Sequence, residues 1–471
     1  MTNIADLTHP IRTGMPAWHE LGGRFGLAKC HVLTWDDYEE TGYLRTQGRI
    51  PRLFRTCLIV MSDNGGTHVD ATSHFNPLGE FIDEVPLDRF IGRGVVLDLT
   101  HLRPARYDPA AGVVTETDWI TPEEIEGACR RSGVTLGRGH VVLMRTGAGA
   151  KWPRPEYHLH VVPLRLDALD WMLDRGVILF GFDQITIDLI PGYDLPHRHM
   201  RVRYSMHMEN LAGLEGVRPG PFTFVGLPLK WERGVCSPIR AVALPADGLP
   251  VGGRLVDLAQ PILQRPTRAS AARFGRSLVA SWSNIAETKL VENKLLVFSD
   301  HASTHIDAPA HFDPDGRTID QLPLDWVANR DAVLLDITAG SGPISPQEIA
   351  RAAAGRNIRI TEGEIVLLYT GASRLWGTPH YLGATRPLAP ESILWLLDRG
   401  VRVFGVDQEE IDTDATSWPA HRLMVGREFY VIENLKLWPA VLDLPARFRF
   451  MAAPLPIAGA TAAPTRAVAI L

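Results

Sequence analysis

The sequence predicts an α/β fold built twice in tandem. Three observations carry that expectation: short apolar β-rich runs alternate with helical stretches, the helical stretches are bracketed by start and stop signals, and long segments recur once downstream.

The elements follow in chain order. Residues 58–61, 95–99, 141–144 and 177–182 are short apolar runs of the kind that form buried strands. Thr121-Pro122-Glu123-Glu124 and Ser345-Pro346-Gln347-Glu348 read as helix starts, each with a hydroxyl cap, proline in the first turn and acids near the positive end. Residues 166–175 and 390–399 read as helices stopped by Gly176 and Gly400. Strand order is not legible at this level.

The repeat covers most of the chain. Residues 171–188 (WMLDRGVILFGFDQITID) align with 395–412 (WLLDRGVRVFGVDQEEID) at an offset of 224, and the same offset aligns 142–147 with 366–371. Residues 95–100 match 333–338, and 237–243 match 463–469. A period above 200 residues is a domain duplication, not a solenoid. Pro245, Gly248, Pro250, Gly252 and Gly253 punctuate the join, giving domains 1–245 and 256–471 with a linker at 246–255.

Composition agrees with two cores. A chain of 471 residues exceeds one usual core, and 45% hydrophobic with 22% charged residues is ordinary for a globular protein. The net charge of -6 offers no basic footprint for nucleic acid, so a small-molecule partner is expected. Cys30, Cys57, Cys129 and Cys236 show no paired spacing, which points to reduced thiols and away from a disulfide framework or thiolate site. Neither a secretory leader after Met1 nor an apolar run of about 18 residues is present, so the expectation is a cytoplasmic protein without membrane contact.

One ligand-dense segment is written twice and completed once. The second copy carries His301, His305, Asp307 and His311; the first carries Asn64, His68, Asp70 and His74 at the matching positions. In an extended segment the odd positions 301 to 311 project from one side, whereas a helix would turn 307 away from 301 and 305. Pro309, Thr304 and Ile306 also oppose helix. Three imidazoles and a carboxylate on one face suit a divalent metal.

The run from His301 to Phe312 resembles the signature His-x-Gly-Thr-His-x-Asp-x-Pro-x-His of the metal-dependent cyclase family, which includes bacterial kynurenine formamidase and isatin hydrolase. It departs only at Ser303, where the family has glycine. The resemblance implies two cyclase-type domains of swivelling β/β/α kind forming a covalent pseudo-dimer, and leaves open a homo-oligomer of such chains. It implies that His301, His305 and Asp307 hold metal, that His421 and Glu433, twelve positions apart, complete a two-metal site, and that His311 is the acid/base. Zinc or manganese suits His and carboxylate donors without cysteine.

In the first half His68, Asp70, His74, His197 and Glu209 match, but Asn64 replaces histidine and Thr72 replaces proline, so a degenerate site is expected there. His199 or His207 stands near enough in sequence to substitute. Trp18 lies in a loop resembling the family's substrate-contacting loop and is a candidate contact for the second-half site. The implied reaction is hydrolysis of an amide, cyclic imide or lactone, with arylformamides favoured by analogy. The alternatives are cyclisation or dehydration of a biosynthetic intermediate, and a non-catalytic metal-binding scaffold.

Overall fold

The structure is a computed structural model and describes residues 4–16, 29–108, 113–188, 195–217, 220–249, 253–264, 277–283, 291–414 and 417–471. The chain forms two compact units. The first comprises Met1–His31, Val60–Gly252 and Val279–Leu296; the second comprises Val32–Ile59, Gly253–Leu278 and Val297–Leu471. Each unit thus includes a short segment from the other sequence copy, so the units and the repeat halves are divisions of different kinds. Residues 250–252 of the punctuated join lie outside the described residues.

Each unit holds a nine-stranded mixed sheet, and the two sheets have the same strand order. In the second unit four parallel strands, Arg330–Asp336, Ile365–Tyr369, Val403–Val406 and Tyr430–Glu433, form the centre. Ile365–Tyr369 is buried at every position, as a strand covered on both faces must be, which is why it reads as an unbroken apolar run. The short strand His305–Asp307 pairs antiparallel with Tyr430–Glu433 on one side and with Ala462–Pro464 on the other. In the first unit Ile91–Asp98, His140–Arg145, Leu179–Phe182 and Met206–Glu209 are the parallel centre, and His68–Asp70 takes the place of His305–Asp307.

The helices begin and end where the sequence signals stand. Pro122–Ser132 is capped by the Thr121 side chain and Pro346–Gly355 by the Ser345 side chain, each accepting from the backbone N–H three residues on. Gly176 and Gly400, with φ of 83° and 77°, end the turns after Leu166–Leu173 and Pro390–Leu397 in the left-handed region that favours glycine. In the second unit Ile349, Ile393 and Leu396 from these helices pack on Val333, Leu335, Val366 and Phe404 of the sheet, with Leu53 and Phe54 in the same core. Among the described residues no helix is long and apolar enough to cross a membrane.

Candidate active site

The second-unit site is assembled by one strand, two turns and a neighbouring strand end. His305 and Asp307 share one face of His305–Asp307 by alternation, while Ile306 is buried on the other. The extended reading of the motif holds only over these three residues. His301 arrives from the turn before the strand, and His311 from the 3-10 turn Pro309–His311. Ser303 sits at φ 57°, in the left-handed region, and Gly66 occupies the matching position of the first unit at φ 68°. The backbone therefore explains a glycine here. Ser303 is held in that conformation with its hydroxyl donating to the carbonyls of Gln260 and Pro261 at 2.9 and 3.1 Å.

The donor atoms converge on Asp307. His301 Nε2 and His305 Nε2 lie 3.2 and 3.1 Å from Asp307 Oδ1, and His421 Nε2 lies 3.7 Å from Asp307 Oδ2. Glu433 stands 3.5 Å from both His305 Nε2 and His421 Nε2. Two groups of three result, His301 with Asp307 and His311, and His305 with Asp307 and Glu433. The buried atoms His301 Nε2, His305 Nε2, both Asp307 oxygens and Glu433 Oε1 have no hydrogen-bond partner. Leaving five such atoms unsatisfied is costly, and a divalent cation satisfies them together, so the residues fit a metal.

Every imidazole in this set is oriented through its other nitrogen. His305 Nδ1 donates to Ser303 O at 2.9 Å and His311 Nδ1 to Arg55 O at 2.8 Å. His301 Nδ1 and His421 Nδ1 each lie 2.8 Å from a carboxylate, Asp300 Oδ1 and Asp412 Oδ2 respectively. Such partners fix which nitrogen faces the centre. Burial alone would push His301 down, but the carboxylates of Asp300 and Asp307 raise it to about 10 while no cation shares them. Burial and the neighbouring His301 push His311 down to about 3. Burial raises Glu433, reinforced by Asp307 and opposed by His421 and His305.

These groups line an open pocket walled by Phe54, Phe312 and Trp418, with Glu409 and Glu410 also on its lining. Trp418 has φ 41°, a strained conformation for a bulky residue, at the cavity wall. Trp18, the aromatic contact expected from sequence, lies outside the described residues. Phe54 and Arg55 bear no motif; they belong to the first sequence copy, and nothing local announces that they join the second unit. Asp300 and Asp412 were more accessible to inference, since Asp63 and Asp188 repeat them.

The first unit brings together His68, Asp70, His74, His197 and Glu209, with His68 Nε2 3.4 Å from Asp70 and 3.7 Å from Glu209. The orienting contacts recur: His68 Nδ1 to Gly66 O, His74 Nδ1 to Glu292 O and His197 Nδ1 to Asp188 at 2.8, 2.6 and 2.5 Å. Asn64 turns its amide elsewhere, accepting from Ser62 Oγ at 2.5 Å and donating to Asn293 Oδ1 at 3.0 Å. Of the two substitutes, His199 pairs with Asp170 at 2.8 Å, whereas His207 Nε2 points at Asp70 and Glu209, 3.1 and 3.3 Å away.

The sequence profile of the family described as "Putative cyclase" matches residues 5–189 and 256–413. Kynurenine formamidase of Salinibacter ruber is 33% identical over 184 residues, which are 39% of this chain and 76% of that protein. Kynurenine formamidase of Paracidovorax citrulli is 34% identical over 185 residues, covering 39% and 77%. A solved isatin hydrolase bound to a product analogue aligns at 22% identity and TM-score 0.41, over 52% of this chain and 92% of the other.

Proposed function

Because the chain belongs to this cyclase family and carries its domain twice, we propose that it is a metal-dependent hydrolase that opens an amide, cyclic imide or lactone at the second-unit site. The observation that carries the reading is the shared Asp307: its two oxygens face the Nε2 atoms of three histidines, all buried and beside Glu433. His301, His305, Asp307, His421 and Glu433 would hold the metal, and their mix of imidazole and carboxylate without thiolate favours zinc or manganese. A bound divalent ion there supplies Lewis acidity, polarising a carbonyl oxygen and bringing the pKa of water toward about 7.

His311 moves the proton. Its Nδ1 is committed to Arg55 O, which leaves Nε2 as the exchanging atom, and burial beside His301 favours the neutral ring. It takes a proton from the attacking water and returns it to the leaving nitrogen or oxygen. Phe54 and Trp418 give the cavity aromatic walls, which supports an aryl substrate, with arylformamides favoured from the named relatives. The four cysteines are free and buried, in keeping with a reducing compartment such as the cytoplasm.

The test is a panel of arylformamide, isatin-like and lactone substrates turned over in ¹⁸O-labelled water by the metal-loaded chain. Hydrolysis places solvent oxygen in the product. Turnover without label would replace this reading with cyclisation or dehydration, and no turnover of any class would remove it.

A further inference from the structure

We propose that the first unit holds a divalent metal ion of its own through a rearranged donor set, Asp70, His197, His207 and Glu209, in which His207 takes over the part that Asn64 cannot play. This goes beyond the reaction assigned to the second unit. The two units align at an offset of 224 in this region, so the counterpart of His207 is Val431 and that of Glu209 is Glu433. One imidazole has been lost at position 64 and one gained at 207. The number facing the carboxylates is unchanged.

Sheet register explains why the exchange works. His207 stands directly opposite Asp70 and Glu209 directly opposite His68 across one antiparallel pair. Residues two apart on a strand share a face, so His207, Glu209, His68 and Asp70 form the corners of one rectangle. In the second unit the corresponding corner is Val431, opposite Asp307, and His301 reaches in from its turn instead. The His207 ring is held by stacking on Phe180 at 6.0 Å and by an edge contact with His197 at 4.9 Å.

Spacing and burial both favour an ion. Donors about 2.1 Å from a tetrahedral metal stand about 3.4 Å from one another. The observed separations are 3.1 Å for His207 to Asp70, 3.3 Å for His207 to Glu209 and 4.0 Å for His197 to Asp70. All four residues are buried. Among these donors the buried Asp70 Oδ1 has no hydrogen-bond partner, a condition a cation relieves.

The experiment counts Co²⁺ bound by the full-length chain after chelator stripping, with the visible d–d absorption as a second readout. A chain carrying H305A and E433Q, whose second-unit donors are broken, is expected to bind one Co²⁺ per chain with visible bands. Adding H207V or H207Q to it is expected to abolish that ion while the far-ultraviolet circular dichroism is retained. Binding of no Co²⁺ by the H305A/E433Q chain overturns the proposal without reference to how the His207 variants fold. Undiminished binding after loss of His207 overturns it as well. The count is independent of the hydrolase assay: a wild-type chain inactive on every substrate leaves the count standing, and a count of zero leaves second-unit turnover standing.

Discussion

Glu433 stands directly opposite His305 across an antiparallel strand pair, with its Oε2 3.5 Å from His305 Nε2. The sheet thus brings together two residues more than a hundred positions apart, and the short strand His305–Asp307 is pinned on both sides by its neighbours. If Glu433 holds metal as proposed, its charge, not its shape, matters. E433Q keeps the volume and removes the anion, so metal affinity should fall more than about 100-fold, beyond the roughly 10–100-fold cost of an outer partner. Competition with a chromophoric chelator measures this; unchanged affinity would remove Glu433 from the donor set.

His311 is assigned proton transfer, which separates it from the donors. H311N preserves a polar side chain of similar reach but cannot exchange a proton near neutral pH. Its kcat should fall by about 10²–10⁴ while metal content stays at the wild-type value. A parallel loss of metal and kcat would make His311 a ligand, as its grouping with His301 and Asp307 also permits.

Acid stability of the first unit should depend on His9. This ring is buried, stacks on Trp152 at 4.1 Å, and has no hydrogen-bond partner at Nε2. Burial, helped by Arg12, pushes it down to about 4 from 6.5. The folded pKa lies below the unfolded one, so its contribution is complete above pH 6.5 and is lost as pH falls toward 4. At about 1.4 kcal/mol per unit, the loss approaches 3 kcal/mol. H9F retains the stacking and removes the titration, so its urea midpoint should decline less than wild type between pH 6.5 and 4; identical declines would rule His9 out.

The fold class, the duplication and the helix caps were legible in the sequence because they are local or periodic: Thr121 and Ser345 cap the helices they precede, and Gly176 and Gly400 end those they follow. The His305–Asp307 alternation was legible for the same reason. The placement of Phe54 and Arg55 beside His311 was not, because it depends on which compact unit takes up residues 32–59. The choice between His199 and His207 was equally closed, since two histidines eight residues apart differ only by the strand register that sets one opposite Asp70. Asn64 read as decay because its compensation lies far away in the chain.

The central claim is that His305, Asp307 and their neighbours form the metal-dependent catalytic centre. It is tested most directly by metal content and turnover of H305A on the substrate that wild type hydrolyses fastest. The account predicts loss of second-unit metal and at least a 10²-fold fall in kcat/KM with circular dichroism unchanged, since removing one donor breaks the set around Asp307. A folded H305A chain with the full wild-type metal content and wild-type turnover would contradict it.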